Sequence, residues 1–396
     1  MPPAPTDRPT RDPWLDNAKI TLVTLVVVGH SWTLLPPGGL TGRLYDFLYA
    51  WHMPAFVLVT GYLSRGFDYR PDRLVSLVRT VAVPYLMFEC ALALFRIHVG
   101  GERLEDLFRD PHWPLWFLPA LFCWRLLTPL FRPLPGGLAL AVAISLAAGL
   151  WAGDTLDIAR VLGFLPFFVL GLKATPERLA LLRGPLPAAA AVAFFAGLWL
   201  LAADLDRWAS TEWLYYRSTY GELEVGDARA LLTRAALLAV GTLGALAFLA
   251  LVPRRSGWYS RMGGATLVVY LCHGFVVKGA EYAGYPDWVG ASSVPPAVGL
   301  ALTTAVAVAV ALTLASDPVA RRLGVLVDPF GAAQRKVRGA VDLTAASLAS
   351  TPVPTPVPTP VPTAAPTSAP TAAPTTAPST GAATGAEGRP GVVRGR

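Results

Sequence analysis

Apolar residues occur along this chain in long uninterrupted blocks, not in the alternating pattern of half-buried strands. Backbone polar groups in lipid must be hydrogen-bonded within their own segment, so blocks of this length predict membrane-spanning α-helices. Ten runs are long enough, or nearly long enough, to cross a bilayer, at residues 18–36, 45–63, 75–97, 113–131, 138–152, 159–173, 186–203, 230–252, 264–280 and 296–316. We predict an all-α, polytopic integral membrane protein with about ten transmembrane helices in one domain, 18–316.

The sequence outside the apolar runs predicts three further segments. Residues 1–17 form a polar N-terminal segment, and residues 317–350 form a juxtamembrane segment. Residues 351–396 are rich in Pro, Thr and Ala. That composition is typical of a disordered low-complexity tail, because it offers too little apolar surface to offset the entropy of ordering.

Composition and charge agree with a membrane protein. Only 15% of the residues are charged and 54% are hydrophobic, whereas about 25% are charged in soluble domains. The stretches predicted to face inward hold 18 Lys and Arg, and those predicted to face outward hold 7. By the positive-inside rule both termini are cytoplasmic, in a bacterial plasma membrane. The net charge of +7 follows from this bias, and no nucleic-acid-binding motif accompanies it.

His30 lies inside the first apolar run, where an imidazole is costly unless it has a partner or a function. Lys19 precedes it by eleven residues. Eleven residues make about three helical turns, so both side chains share one helix face, roughly 16 Å apart along the axis.

Two further ionisable residues lie within predicted spans. A short turn joins the first two runs, which places His52 at a depth similar to that of His30. A hydrogen-bonded helix pair is the structural alternative for the two histidines. Glu89 lies deep in the third run. It could pair with His30 or Lys19, accept a hydrogen bond from a substrate, or join two spans.

An ordered set of motifs resembles the acyltransferase-3 family of membrane O-acyltransferases, most closely its fucose 4-O-acetylase-like branch. The resemblance covers about residues 14–316. The motifs are Lys19-x10-His30, Trp51-His52-Met-Pro-Ala-Phe-Val-Leu-Val-Thr-Gly-Tyr62, Arg79 before Pro84-Tyr85, Trp116-Phe-Leu, Gly163-Phe-Leu-Pro-Phe-Phe-Val-Leu-Gly171 and Tyr270-Leu-Cys-His273. Many members have Arg at the position of Lys19. Many also have an Arg-x-x-Arg pair near the third span, for which Arg70-Pro-Asp-Arg73 is the nearest match.

The resemblance implies transfer of an acyl group, expected to be acetyl, from acyl-CoA as co-substrate to a hydroxyl of a carbohydrate. It implies no tightly bound cofactor and no metal. His30 is the expected general base, since a neutral imidazole can take a proton near pH 7. His52 would orient the acceptor or stabilise the oxyanion, and Lys19 and Glu89 complete the expected catalytic set.

Binding residues follow from the same resemblance. Cations at the inner mouth would bind the polyanionic donor, and the candidates are Arg70, Arg73, Arg79 and Lys19. Plain positive-inside topology is the alternative for the arginines. The candidates for substrate binding are Trp116, Arg160, Tyr270 and His273. The alternative role for His273 is packing in the protein interior, and the alternative for Arg160 is snorkelling to the membrane surface.

Two alternatives concern function as a whole. The loop 204–229 contains five aromatic residues, which form either an interfacial belt or a platform that stacks on sugar rings. A transporter or flippase of a small acid or a lipid-linked sugar is the alternative function, because buried histidines also serve proton relays. The sequence shows no internal inverted repeat, which argues against a transporter.

Overall fold

The structure is a computed structural model that describes residues 12–104, 114–153, 155–207, 209–291 and 293–331. All secondary structure in these residues is helical. The predicted tail at 351–396 and most of the N-terminal segment lie outside the described residues.

Eighteen α-helices account for most of the described chain. They are α1 Pro13–Trp32, α2 Gly39–Tyr49, α3 His52–Ser64, α4 Pro71–Leu77, α5 Val83–His98, α6 Phe117–Phe131, α7 Gly137–Ala148, α8 Ile158–Gly163, α9 Leu165–Lys173, α10 Pro176–Ala180, α11 Pro185–Leu201, α12 Thr211–Tyr215, α13 Asp227–Leu251, α14 Trp258–Met262, α15 Thr266–Tyr282, α16 Tyr285–Gly290, α17 Pro296–Ala315 and α18 Asp317–Val327.

Proline in the first turn begins many of these helices, because its fixed φ suits the helix and its missing N–H is not needed there. The start of α1 shows a second device. The side chain of Asp12 accepts a hydrogen bond from the backbone N–H of Trp14 at 2.9 Å, which satisfies one of the free donors of the first turn.

Four of the described helical stretches are long and apolar enough to cross a membrane: Pro71–His98, Pro185–Leu205, Asp227–Leu251 and Pro296–Ala315. The pair Thr155–Gly163 and Leu165–Lys173, bent by 50°, makes a fifth if it is one span. Only 17% of the apolar window in Pro185–Leu205 is buried. Large apolar side chains that face outward in this way suit contact with lipid. An integral membrane protein is therefore supported, and the number of ten crossings remains a prediction.

The second apolar run is not one continuous helix, as the sequence had suggested. It is divided into α2 and α3, with a break at Ala50 and Trp51, and Trp51 has φ −138° and ψ −27°. His52 is therefore the first residue of α3 instead of lying within a longer helix. α1 and α3 pack against each other, as expected for neighbouring helices.

α3 and α9 cross in close contact. A Cβ atom added to Gly61 would overlap the backbone of Phe168, and one added to Gly171 would overlap the carbonyl of Leu58. Small residues let two helix backbones approach in this way. Because α3 also carries His52, this crossing fixes the depth of a candidate site residue.

A π-helical turn, Val78–Ala82, lies between α4 and α5. The stretch Pro71–His98 is otherwise continuous. One extra residue in the turn changes which side chains face inward, and such turns occur frequently at functional sites.

An ion-pair cluster around Glu102, which lies outside the predicted spans, connects the end of α5 to α15. Glu102 accepts hydrogen bonds from Arg96 at 2.9 Å and from Tyr282, and Lys278 lies 3.4 Å from it. Burial alone would raise the pKa of Glu102. The hydrogen bonds and the two positive charges outweigh burial and lower this pKa from 4.5 to about 2.

Candidate active site

A cavity of about 290 Å³ lies between α1, α3, the π-helical turn, α6 and α15. Most of its wall is apolar. It is lined by Lys19, Leu22, Phe56, Val59, Thr60, Leu63, Thr80, Val81, Phe117, Leu118, Leu121, Arg125, Thr266, Leu267 and Tyr270. We call it the inner cavity, because Lys19 belongs to the end of α1 that is predicted to face the cytoplasm.

One end of the inner cavity is closed by aromatic rings. The rings of Phe56 and Phe117 lie 4.9 Å apart between centroids, and those of Phe117 and Tyr270 lie 5.9 Å apart. The Tyr270 hydroxyl accepts a hydrogen bond from the backbone N–H of Phe117 at 3.1 Å and donates one to the carbonyl of Pro114 at 2.7 Å. These three rings form what we call the aromatic floor.

The inner cavity carries its positive charges away from that floor. Arg125 lies eight residues beyond Phe117 on the same face of α6, which is about 12 Å along the helix. Lys19 lies in the first half of α1 and forms an ion pair with Asp16 at 2.7 Å. The cavity is thus cationic at one end, apolar along its wall and aromatic at the other end.

A second cavity, of about 230 Å³, lies beyond the aromatic floor along α1. It is lined by His30, Thr33, Tyr45, Tyr49, His52, Met53, Trp116, Arg160, Phe164, Leu214, Tyr215 and Arg217. We call it the outer cavity. Trp116 lines the outer cavity and the next residue, Phe117, lines the inner one. At this point the two cavities lie on either side of two adjacent residues.

Two of the predicted histidines line the outer cavity, and a third lies behind them. The ring of His30 packs edge-to-face on that of His273, with centroids 5.3 Å apart. His273 is fully buried, and its Nδ1 donates to the carbonyl of Tyr270 at 2.6 Å. His52 donates from Nδ1 to the carbonyl of Leu48 at 2.8 Å. A carbonyl can only accept, so in the neutral ring of His52 the lone pair is on Nε2.

Arg160 and Trp116 share the wall of the outer cavity. The Arg160 guanidinium lies 5.1 Å from the centroid of the Trp116 ring and forms an ion pair with Asp157 at 3.0 Å. Asp157 is fully buried and has a positive φ of 52°. Such strained backbone persists only where its surroundings hold it, and here it aims a carboxylate at the arginine.

Five of the predicted site residues are not among those that line either cavity: His273, which lies behind His30, and four others. Arg70 is exposed and paired with Asp68 at 3.1 Å. The other three are Arg73, Arg79 and Glu89. Arg73 lies 3.9 Å from Asp72, and Arg79 lies 3.8 Å from Asp328. Glu89 is fully buried on α5. The structure therefore does not bring the three arginines to the inner cavity, where the sequence had expected cations. The carboxylate that contacts Lys19 is Asp16, and a contact with Glu89 had been one expectation.

Sequence reasoning gave no site role to several cavity residues. One of them is Arg125, although an arginine within an apolar run is itself a signal. The others are Tyr45, Tyr49 and Arg217. The aromatic loop divides: Tyr215 lines the outer cavity, whereas Trp213 and Tyr220 stack on each other at 5.9 Å. Trp208 lies outside the described residues.

Comparisons with known proteins identify a family and two relatives of this chain. The profile of the acyltransferase-3 family, described as an acyltransferase domain, matches residues 12–316. The nodulation protein NolL of Sinorhizobium fredii (strain NBRC 101917 / NGR234) is 32% identical over 183 residues, which are 41% of this chain and 48% of the relative. NolL of Mesorhizobium japonicum is 30% identical over 190 residues, 42% of this chain and 48% of the relative. The chain thus matches over about half the length of these curated relatives. No solved structure matches it.

Proposed function

The chain belongs to the acyltransferase-3 family, as its motifs predicted, and from this premise we propose that it transfers an acyl group from acyl-CoA to a hydroxyl of a sugar or glycan. Acetyl is the expected group. The observation that carries the proposal is the arrangement along α1. Lys19 lines one cavity and His30 lines another, and a thin aromatic floor lies between them.

The inner cavity suits the donor. Acyl-CoA has phosphates at one end and a thioester at the other, joined by a narrow arm. A cavity with cations at its mouth and apolar walls matches that distribution. The acyl group would then lie at the aromatic floor, next to the histidines.

The outer cavity suits a carbohydrate acceptor. The rings of Tyr45 and Tyr49 stack at 4.1 Å, and the hydroxyls of Tyr45 and Tyr215 lie 2.8 Å apart. Such side chains combine an apolar ring face, on which sugar C–H groups stack, with a hydroxyl for the sugar oxygens. Neutral His52 would present a hydrogen-bond acceptor at Nε2, which suits a sugar hydroxyl and not an oxyanion. Arg160 is the better donor to a developing oxyanion.

The proposed reaction is a direct transfer. His30 takes the proton from the acceptor hydroxyl while the oxygen attacks the thioester carbon. A C–O bond forms and the carbonyl oxygen becomes an oxyanion. The C–S bond then breaks, the ester is released, and the sulfur of CoA takes the proton back from His30. No covalent acyl-enzyme is needed.

A transporter or flippase is the second candidate, and one observation favours it. Two cavities stacked along a helix and separated by a closed layer are also the geometry of an occluded transporter. The two functions differ in whether the thioester is consumed.

The test is the release of free CoA thiol by the purified chain in liposomes, with labelled acetyl-CoA on one side and an envelope-glycan extract on the other. His30→Ala is expected to lower the rate of label transfer about 10²–10⁴-fold. His98→Ala is the matched control, because His98 is exposed at the end of α5. Transfer by His30→Ala at the parent rate would refute the assigned base. Solute movement without CoA release would favour the transporter.

A further inference from the structure

Arg125 is a positive charge in the wall of the inner cavity that no described carboxylate neutralises. Lys19, the other cation there, is already paired with Asp16 at 2.7 Å. Arg125 forms no ion pair within the part of the chain that the structure describes, and no acidic residue is among those lining the cavity. The net charge of the cavity wall is therefore carried by Arg125.

Snorkelling to the membrane surface does not account for this placement. Arg125 lies six residues before the end of α6, which is about 9 Å from that end. It shares the cavity-facing side of α6 with Phe117, Leu118 and Leu121. A snorkelling side chain covers apolar surface and extends into the interface, whereas this one lines a cavity of about 290 Å³.

We propose that Arg125 binds a phosphate of the acyl-CoA donor and so sets the depth of the thioester; this rests on the proposed function. A guanidinium offers a planar fork of N–H donors that matches two phosphate oxygens, and a lysine does not. The ligand class is thus a thioester carried on a phosphorylated pantetheine arm.

The length of that arm fits the structure. About thirteen bonds separate phosphorus from sulfur in phosphopantetheine, and an extended chain advances about 1.2 Å per bond, which gives about 16 Å. Arg125 lies nine residues beyond Trp116, which lines the outer cavity together with His30, or about 14 Å along the axis of α6. A phosphate held at Arg125 therefore lets the sulfur reach the histidine layer.

The exposed arginines provide a matched control. Arg322 is exposed on α18, does not line the inner cavity and belongs to a stretch that is also predicted to face inward. Removing its charge changes the same face of the protein by the same amount, without touching the inner cavity. An effect confined to Arg125 would therefore report on the cavity and not on general surface charge.

The experiment measures binding of coenzyme A and of pantetheine, which lacks phosphate, to the purified full chain by calorimetry. Arg125→Gln is expected to weaken coenzyme A at least tenfold and to leave pantetheine unchanged. The affinity of Arg125→Lys for coenzyme A should lie between that of Arg125→Gln and that of the parent. This variant tests the proposal even if Arg125→Gln fails to fold. Arg322→Gln should bind coenzyme A like the parent.

Two results would overturn the inference: parent-like coenzyme A binding by Arg125→Gln, or an equal loss for pantetheine. If either occurs while the parent still transfers acetyl from acetyl-CoA, the proposed function stands and only the role of Arg125 is lost. If the parent binds no coenzyme A and releases no CoA thiol, the proposed function fails together with this inference.

Discussion

The contact between Gly263 and the start of α1 gives a quantitative prediction. Gly263 follows α14 and is buried against Asp16. A Cβ atom added there would lie 2.6 Å from the Asp16 carbonyl oxygen, 2.7 Å from its Cβ and 2.8 Å from its Cα. Ordinary contacts begin at 3.4 Å, so α1 and α14 must separate by about 0.6–0.8 Å. Because backbone atoms are among those met, no rotamer change relieves the overlap.

Gly263→Ala is therefore expected to lower the free energy of unfolding by about 1–3 kcal/mol, the usual cost of overpacking. The backbone at Gly263 is in the right-handed helical region, with φ −58°, so alanine adds steric overlap and no conformational strain. The thermal midpoint of the detergent-purified chain should fall by at least about 2 °C.

The same substitution should affect donor binding, because Asp16 holds Lys19 at 2.7 Å and Lys19 lines the inner cavity. We expect the KM for acetyl-CoA to rise about tenfold, less than the roughly 10²-fold that a 1 Å misplacement can cost.

Gly197→Ala is the control, since Gly197 is exposed in α11 and an added Cβ there meets nothing within 4 Å. It should be neutral or stabilising, because alanine is the better helix former. A Gly263→Ala protein with the thermal midpoint and donor KM of the parent would refute the reasoning.

Two further predictions concern stability. Tyr270→Phe removes the hydroxyl that bonds Phe117 and Pro114, which leaves two buried backbone groups without a partner. The free energy of unfolding should fall by about 1–3 kcal/mol, as measured by thermal unfolding. A variant as stable as the parent would contradict the aromatic floor as described. The pKa of Glu102 is lowered to about 2, so its stabilisation is fully present above pH 4.5 and is lost as the pH falls toward 2. Glu102→Gln should abolish that part of the acid dependence of the thermal midpoint, and an unchanged acid dependence would show that another group is responsible.

Much of the site follows from distances along one helix. The spacing of Lys19 and His30 depends only on the rise and twist of an α-helix, so the sequence predicted that both share one helix face at different depths. Both residues line cavities in the structure. The apolar runs likewise predicted helices, because lipid leaves the backbone few other ways to satisfy its hydrogen bonds. Motif order alone predicted the family.

Packing between distant segments decided the rest. That Arg125 lines the inner cavity, while Arg70, Arg73 and Arg79 do not, depends on which face of α6 meets α1, α3 and α15. The π-helical turn at Val78–Ala82 packs against α6 and carries Thr80, which lines the inner cavity. A hydropathy pattern records how apolar a segment is. It does not record which neighbours that segment meets, and an enclosed site forms only where side chains from several helices converge.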